Sequence, residues 1–302
     1  MAAVEAVLIA GPTASGKSRL ALALARRLDG VIVNADSMQV YDGLSILTAR
    51  PTAAEMAAVP HELYGHVNPA IAYSAGAYVR DAAASLAAAK AAGKLPIVCG
   101  GTGLYFKALL GLLDTMPPVP AAIRERWRGR LAAEGASVLH HLLAQRDPAA
   151  AERIASADGQ RIVRALEVGE ASGQTLSALQ AGQGAGPLSD ARTIKVVLTP
   201  ARPVLRERIA RRFGEMLGEG VLAEVAAFRA MQGAMDGSAA RAIGVDELGA
   251  VIDGALDIAT ARELAVTRTR QYAKRQETWF RHQFGPDWQR LEEADPDRIA
   301  GI

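Results

Sequence analysis

At 302 residues, half of them hydrophobic and 22% charged, the chain has the make-up of a globular protein, enough for one large domain or a core with a smaller companion. A single cysteine, Cys99, excludes an internal disulfide, no Cys/His spacing suits zinc, and no run of 18 apolar residues predicts a membrane-spanning helix, so a cytoplasmic location without membrane attachment is expected. Net charge is only +2, but six of the 34 cations are lysines and the other 28 are arginines, which favour bidentate phosphate contact. In chain order, "AVLIAGPTASGKS" predicts a buried strand, a loop and a helix from about Gly16 to Leu28; the apolar start of the chain reads as this strand, not as a signal peptide. "GVIVNAD" predicts a second strand ending at Asp36. Ser74 as N-cap and Gly93 as stop bracket an alanine-rich helix. "LPIVCGGTG" and "TIKVVLTP" predict a third and a fourth strand. Strands alternating with helices give an α/β fold with a parallel sheet, whose ligands gather at the carboxyl ends of the strands. Between the third and fourth strands, "MPPVP" reads as a hinge, residues 121–182 lack strand signals, and "GQGAGPLSD", 182–190, reads as flexible. The expected organisation is a core of 1–113 plus 189–302, closed by mostly helical residues 203–302, with a helical insertion at 114–188.

Gly11, Pro12, Thr13, Ala14, Ser15, Gly16, Lys17 and Ser18 match G-x-x-x-x-G-K-[ST] between a strand and a helix, the context that the phosphate-loop motif requires. Such a loop aims backbone N–H groups and a helix N-terminus at an anion; Lys17 adds a point charge and the Ser18 hydroxyl suits magnesium. A nucleoside triphosphate is the common guest, but a diphosphate on another group would satisfy the same amides. The dinucleotide fingerprint does not fit, so Asp36 is a poor ribose ligand; holding magnesium and accepting a proton both stay open. Ser37, Gln39 and Tyr41 make the following loop a substrate-reading element or a solvated turn. Gly100 and Gly101 let backbone approach a ligand, while Thr102 offers a hydroxyl or an N-cap.

Leu205, Ile209, Phe213 and Met216 form an apolar helical stripe with Arg212 on or beside it and Arg211 turned away. An inward arginine needs an anion, either a ligand or a glutamate. "DGQRIVRALEV" places Gln160, Arg161 and Arg164 on neighbouring helical positions, leaving Ile162, Val163 and Leu166 for packing, and "AAIRERWRGR" is also cationic. Arg268, Tyr272, Arg275 and Trp279 recur at helical spacing; arginine with aromatics suits RNA, although Trp279 reads better as a core anchor. The five histidines show no metal-like or triad spacing.

"GPTASGKS", "NADSMQVYDGLSILTARP", "PIVCGGTGLYFKALL", "DGQRIVRALEV", "RRFGEMLGEGVLAEV", "RAIGVDEL" and "RQYAKRQETWFR" occur in the order found in tRNA dimethylallyltransferases, which the chain resembles over about residues 5–282. The resemblance implies a P-loop NTPase-like parallel core with a helical insertion, acting on the anticodon stem-loop of tRNA as a monomer of the bacterial type, without a zinc finger. Dimethylallyl diphosphate would be the donor, its diphosphate cradled by Gly11–Ser18 and neutralised by Lys17, Arg212 and Mg2+ on Ser18. Asp36 would be the general base and Thr102 would orient the adenine amine or phosphate. Ser37 and Gln39 would read a flipped base, with Met38 beside them, and Arg124, Gln160, Arg161, Ile162, Val163 and Arg164 would meet tRNA, the insertion acting as a clamp. Two departures stand out: Leu47-Thr48-Ala49-Arg50 replaces a usual Gly-Thr-Ala-Lys, and Val245 a common tyrosine. The competing readings are a P-loop kinase, for which no ATP lid or adenine pocket can be identified, and an NTP-gated RNA-binding protein.

Overall fold

The structure, a computed structural model, describes residues 3–114, 116–180 and 184–302; the first two residues of the stretch read as flexible, 182 and 183, lie outside the described residues. The described chain forms two compact units, Met1–Leu109 with Asp190–Ile302, and Leu110–Ser189.

The first unit is built on β1 (Ala6–Ala10), β2 (Gly30–Asn34), β3 (His61–Glu62), β4 (Leu95–Gly100), β5 (Thr193–Leu198) and β6 (Gln289–Leu291), all parallel in the order β3-β2-β4-β1-β5-β6. β1 and β2 are buried throughout, as strands covered on both faces must be. The edge strands β3 and β6 escape sequence reading because they are too short for any periodicity to register.

Helix α1 (Lys17–Arg27) turns Leu20, Ala21, Leu24 and Ala25 onto the sheet, where Val7, Ile9, Ile97 and Val196 meet them. Each fully buried Leu or Ile contributes about 1.5–3 kcal/mol relative to exposure. The short α2 (Ala53–Ala58) begins at a Thr52 cap. Helix α3 (Ala75–Ala91) begins where Ser74 Oγ accepts the Ala77 N–H and stops before Gly93, at φ 69°. Helix α4 (Gly103–Leu109) follows β4.

The second unit is all helical: α5 (Ala121–Glu134), α6 (Ala136–Arg146), α7 (Pro148–Arg153), α8 (Gly159–Ser172) and α9 (Leu176–Leu179) surround Trp127, Leu139, Leu143, Ile162 and Leu166. Its two ends lie side by side: Gly111, next to its first residue, has no room for a side chain because Ser189, its last, occupies that space.

After β5 the first unit resumes with α10 (Arg202–Gly218), α11 (Val221–Ala230), α12 (Val245–Ile252) and α13 (Ile258–Gln283). All four stripe residues of α10 are buried, and Ile209, Phe213 and Met216 cluster with Tyr41, Leu44, Phe228 and Leu248. Val245, at the tyrosine position, is buried at the start of α12. Trp279 packs edge-on against Phe280 and Phe284 but is half-buried, at the edge of the core rather than within it as its sequence suggested. Among the described residues, no helix is long and apolar enough to cross a membrane.

Candidate active site

The carboxyl ends of three neighbouring strands, β2, β4 and β1, deliver three loops to one place. After β1 the chain turns through Gly11–Gly16. Gly16 has φ 96°, in the left-handed region where a side chain is strained, and caps α1 without a side-chain hydrogen bond. The first amides of α1 are therefore left for an anion. Ser15 is buried and its Oγ has no hydrogen-bond partner. Lys17 Nζ folds back to donate to the Pro12 carbonyl at 3.5 Å. Burial pushes its ammonium below the usual lysine range, opposed by the charge of Asp36.

Helix α10 brings two guanidiniums to this loop. Arg208 Nη1 donates to the Ser15 carbonyl at 3.3 Å, and Arg212 Nη2 to Thr13 Oγ1 at 2.6 Å. Arg212 forms no ion pair among the described residues; Glu215, the nearest candidate in sequence, pairs with Arg211 at 3.6 Å. The glutamate alternative for Arg212 is therefore not realised. Its guanidinium is weakened by burial, an effect that Asp36 and then Glu215 counter. Beside the loop lies a cavity of about 300 Å³, lined by Lys17, Arg19, Arg50, Arg208, Arg211 and Arg212 against only Glu55 and Glu215. Six cations against two carboxylates make a receptor for a multivalent anion.

The loop after β2 is organised by Asn34, which is fully buried. Its Oδ1 accepts the Asp36 N–H at 2.9 Å, while Nδ2 donates to the carbonyls of Asp36 and Leu63. Asp36 lies two residues beyond the strand end, not on it, because this local bonding replaces the ladder. Its Oδ1 accepts the Met38 N–H at 3.0 Å, an Asx turn that fixes the carboxylate to its own loop. Thr102 is not a side-chain cap for α4: its Oγ1 accepts the Ser37 N–H at 2.9 Å and donates to Ser37 Oγ at 3.2 Å. Gln39 donates both amide hydrogens to the carbonyls of Thr48 and Ala49, leaving only its oxygen open. Tyr41 is 2% exposed, with its hydroxyl accepting the Tyr73 N–H; it belongs to the core and cannot read a substrate. Burial first, with Asp36 adding to it, holds the phenols of Tyr64, Tyr105 and Tyr272 above their ordinary range. Burial also pushes the Cys99 thiol up to about 12, so it is inert at neutral pH.

Three contributors escape the sequence reading. Glu224 of α11 accepts from Ser45 Oγ and from the N–H groups of Ile46 and Leu47, at 2.7–2.8 Å, and so shapes the turn that carries Arg50. Arg208 sits one helical turn before Arg212 and was not singled out in the sequence. Gln276 of α13 accepts the Thr13 N–H at 2.9 Å and donates to the Gly101 carbonyl at 2.9 Å. A signal was available for Gln276: with Ala273 and Phe280 it keeps the spacing of a buried stripe, where a polar residue must find partners.

In the helical unit, Gln160, Arg161 and Arg164 are exposed on the first turns of α8, whose N-terminus Asp158 caps. Arg161 lies 3.4 Å from Asp158 and Arg164 3.9 Å from the buried Glu167. Arg124 is half-buried with its Nε unpartnered. Ile162 and Val163 are 0% and 5% exposed in the core of this unit, so their side chains cannot touch an RNA. The resemblance marks the whole segment, but helical phase turns these two residues inward.

The sequence pattern described as IPP transferase matches residues 39–283, and one described as isopentenyl transferase matches residues 4–64. A tRNA dimethylallyltransferase of Sinorhizobium medicae is 52% identical over 97% of this chain and 96% of its own length. Its counterpart from a Chelativorans species is 53% identical over 95% and 98%. Among solved structures, a tRNA isopentenylpyrophosphate transferase from Bacillus halodurans aligns with TM-score 0.66 at 32% identity, covering 94% of this chain and 88% of that one. A eukaryotic dimethylallyltransferase captured acting on tRNA aligns with TM-score 0.82 at 25% identity over 99% of this chain and 77% of its own.

Proposed function

We propose the reaction from the premise that the chain belongs to the IPP transferase family: it is a prenyltransferase that moves a dimethylallyl group onto tRNA. The donor is dimethylallyl diphosphate and the acceptor is the exocyclic N6 amine of the adenine 3′ to the anticodon, giving N6-dimethylallyladenosine. The observation that carries this reading is the pairing of a cation-lined anion cavity with the Asp36 carboxylate beside it: a methyl on Gly101 would lie 3.2 Å from Asp36 Oδ2 and 3.5 Å from the Gly11 carbonyl of the phosphate loop. An NTP-gated switch would have no use for a base there; a kinase would use one on its acceptor hydroxyl, and it is the family match that sets the kinase aside.

The free amides of the loop, at Ala14 and from Gly16 to Ser18, bind the diphosphate, with Lys17 and Arg212 meeting the charge that grows on the leaving oxygen as the allylic C–O bond breaks. The adenine nitrogen bonds to the allylic carbon, and its proton passes to Asp36, whose Oδ1 is already fixed by Met38 N–H. Diphosphate leaves as the second product. The base must be flipped out to reach this site, at a cost of a few kcal/mol. Ser37, held by Thr102, and the free oxygen of Gln39 are placed to read its edge. Ser18 is exposed on the first turn of α1 and its hydroxyl makes no hydrogen bond among the described residues, which suits one oxygen ligand of Mg2+. No group of three His, Cys, Asp or Glu could cage a metal there among the described residues, so the other ligands would be diphosphate oxygens and water. The ion would supply further neutralisation of the leaving group. The protein works as a monomer on one tRNA.

Incubated with labelled dimethylallyl diphosphate, Mg2+ and unmodified tRNA, the protein transfers label to RNA and releases diphosphate. RNA left unlabelled, with ATP hydrolysis stimulated by tRNA, would overturn the reading in favour of the NTP-gated switch.

Arg124, Gln160, Arg161 and Arg164 belong to the helical unit as its clamp on the anticodon stem, with Ile162 and Val163 holding α8 in place from within. Arg161→Ala and Arg164→Ala each lower the slope of log Kd against log salt by about 1 if each arginine neutralises one phosphate. A filter-binding titration at several salt concentrations reads this directly. Slopes equal to that of the wild type would remove both residues from the RNA interface.

A further inference from the structure

Gln276 is 6% exposed, and both ends of its carboxamide are engaged with partners far away in sequence: Thr13 in the phosphate loop and Gly101 in the corner after β4. Each partner leads directly to reaction machinery. Thr13 Oγ1 receives Arg212 Nη2, and Gly101 precedes Thr102, whose hydroxyl holds Ser37 in the loop of Asp36. Gly101 leaves no free space at this joint: a methyl there would lie 2.4 Å from Gln276 Nε2 and 3.2 Å from Asp36 Oδ2.

We propose that Gln276 is a positioning residue for the transfer, a neutral strut whose carboxamide fixes the leaving-group loop relative to the corner that carries the base. The inference rests on the transfer reading above. In-line displacement needs the attacking nitrogen about 3–3.5 Å from the allylic carbon, and a misplacement of 1 Å can lower the rate about 10²-fold. The two loops are built on different strands, and the ladder between β4 and β1 ends at Ala10 and Gly100, one residue before Gly101 and three before Thr13. A buried group that donates to one and accepts from the other sets their tips. A lysine, arginine or ionised glutamate could make only half of the joint and would add a charge beside Lys17, Arg212 and Asp36; a neutral amide makes both halves and leaves that field alone. Gln276 also takes the Thr13 N–H out of the set that can meet a phosphate, and the Ser15 N–H goes to the Pro12 carbonyl, so the anion is read by the amides of Ala14 and of Gly16 onward.

Two variants test this against a wild type that transfers label to tRNA. Gln276→Met keeps the length and loses both hydrogen bonds; kcat falls about 10²-fold while KM for tRNA stays within threefold. Gln276→Glu keeps the acceptor for Thr13 and keeps the donor for Gly101 only when protonated. Its kcat relative to wild type therefore declines as pH rises through the titration of the new carboxyl, about 4.3 when unburied and higher when buried, and is followed from pH 4 to 9; simple loss of packing would give a constant ratio. A Met variant with kcat within threefold of wild type, or a Glu variant whose ratio is flat with pH, would overturn the proposal. If Gln276→Met does not fold, the Glu profile alone decides. A wild type that transfers nothing would instead remove the reaction on which the proposal rests.

Discussion

Asp36→Asn lowers the single-turnover rate of prenyl transfer by about 10²–10⁴-fold, the usual worth of a positioned general base, and leaves tRNA affinity nearly unchanged. The substitution is unusually clean here. Asparagine keeps an Oδ1 that accepts the Met38 N–H, and Asn34 holds the main chain at residue 36 whatever its side chain. The loop therefore stays where it is, and only the ability to take a proton and the negative charge are lost. Loss of that charge also removes what sustains the charged forms of Lys17 and Arg212 against burial, so the defect includes weaker leaving-group stabilisation. Rapid-quench measurement of labelled tRNA, paired with an equilibrium Kd for tRNA, separates the two effects. A large loss of tRNA binding with a modest loss of rate would make Asp36 a recognition residue.

The second large effect is expected at Arg212. Arg212→Met lowers kcat/KM for dimethylallyl diphosphate about 10²–10³-fold, as removal of one preorganised donor to a developing anion does. The free protein does not lose stability with it. A guanidinium whose pKa is pulled down by burial, with no carboxylate paired to it, is held at a cost in the folded state. Methionine fills most of the same volume without that cost and gives up one hydrogen bond to Thr13 Oγ1. The thermal midpoint of the ligand-free variant is thus at or above that of the wild type, while diphosphate raises the midpoint of the wild type much more than that of the variant. A variant that melts early yet keeps its kcat/KM would show Arg212 to be structural.

Much of this was legible in the sequence where the physics is local. The phosphate loop is written in consecutive residues, and α10 is readable because Leu205, Ile209, Phe213 and Met216 repeat at the helical period and bury together. Asp36 was visible as a carboxylate at a strand end, but three of the roles around it were not. Tyr41 looked like a polar reader because a phenol can face either way; a core cluster took it. Gln39 looked like a base reader with its whole amide, but the turn at Thr48 and Ala49 uses its donors and leaves only the oxygen for a base. Gln276 has partners that no spacing reveals, since the joint exists only after α13 has packed across two loops. In the helical unit, helical phase separated Arg161 and Arg164 from Ile162 and Val163 in the sequence itself, and burial agrees with that division rather than with the family segment, which marks all of them together.

The contact between Gly111 and Ser189 has a use beyond the fold. The helical unit leaves and re-enters the chain at neighbouring points, so it is topologically a cassette. It could be exchanged for the corresponding unit of a relative by cutting at those two points, without rethreading the sheet. Such chimaeras would show whether the choice among tRNAs travels with the cassette while the choice of prenyl donor stays with the sheet, and they offer a route by which the two could have diversified separately.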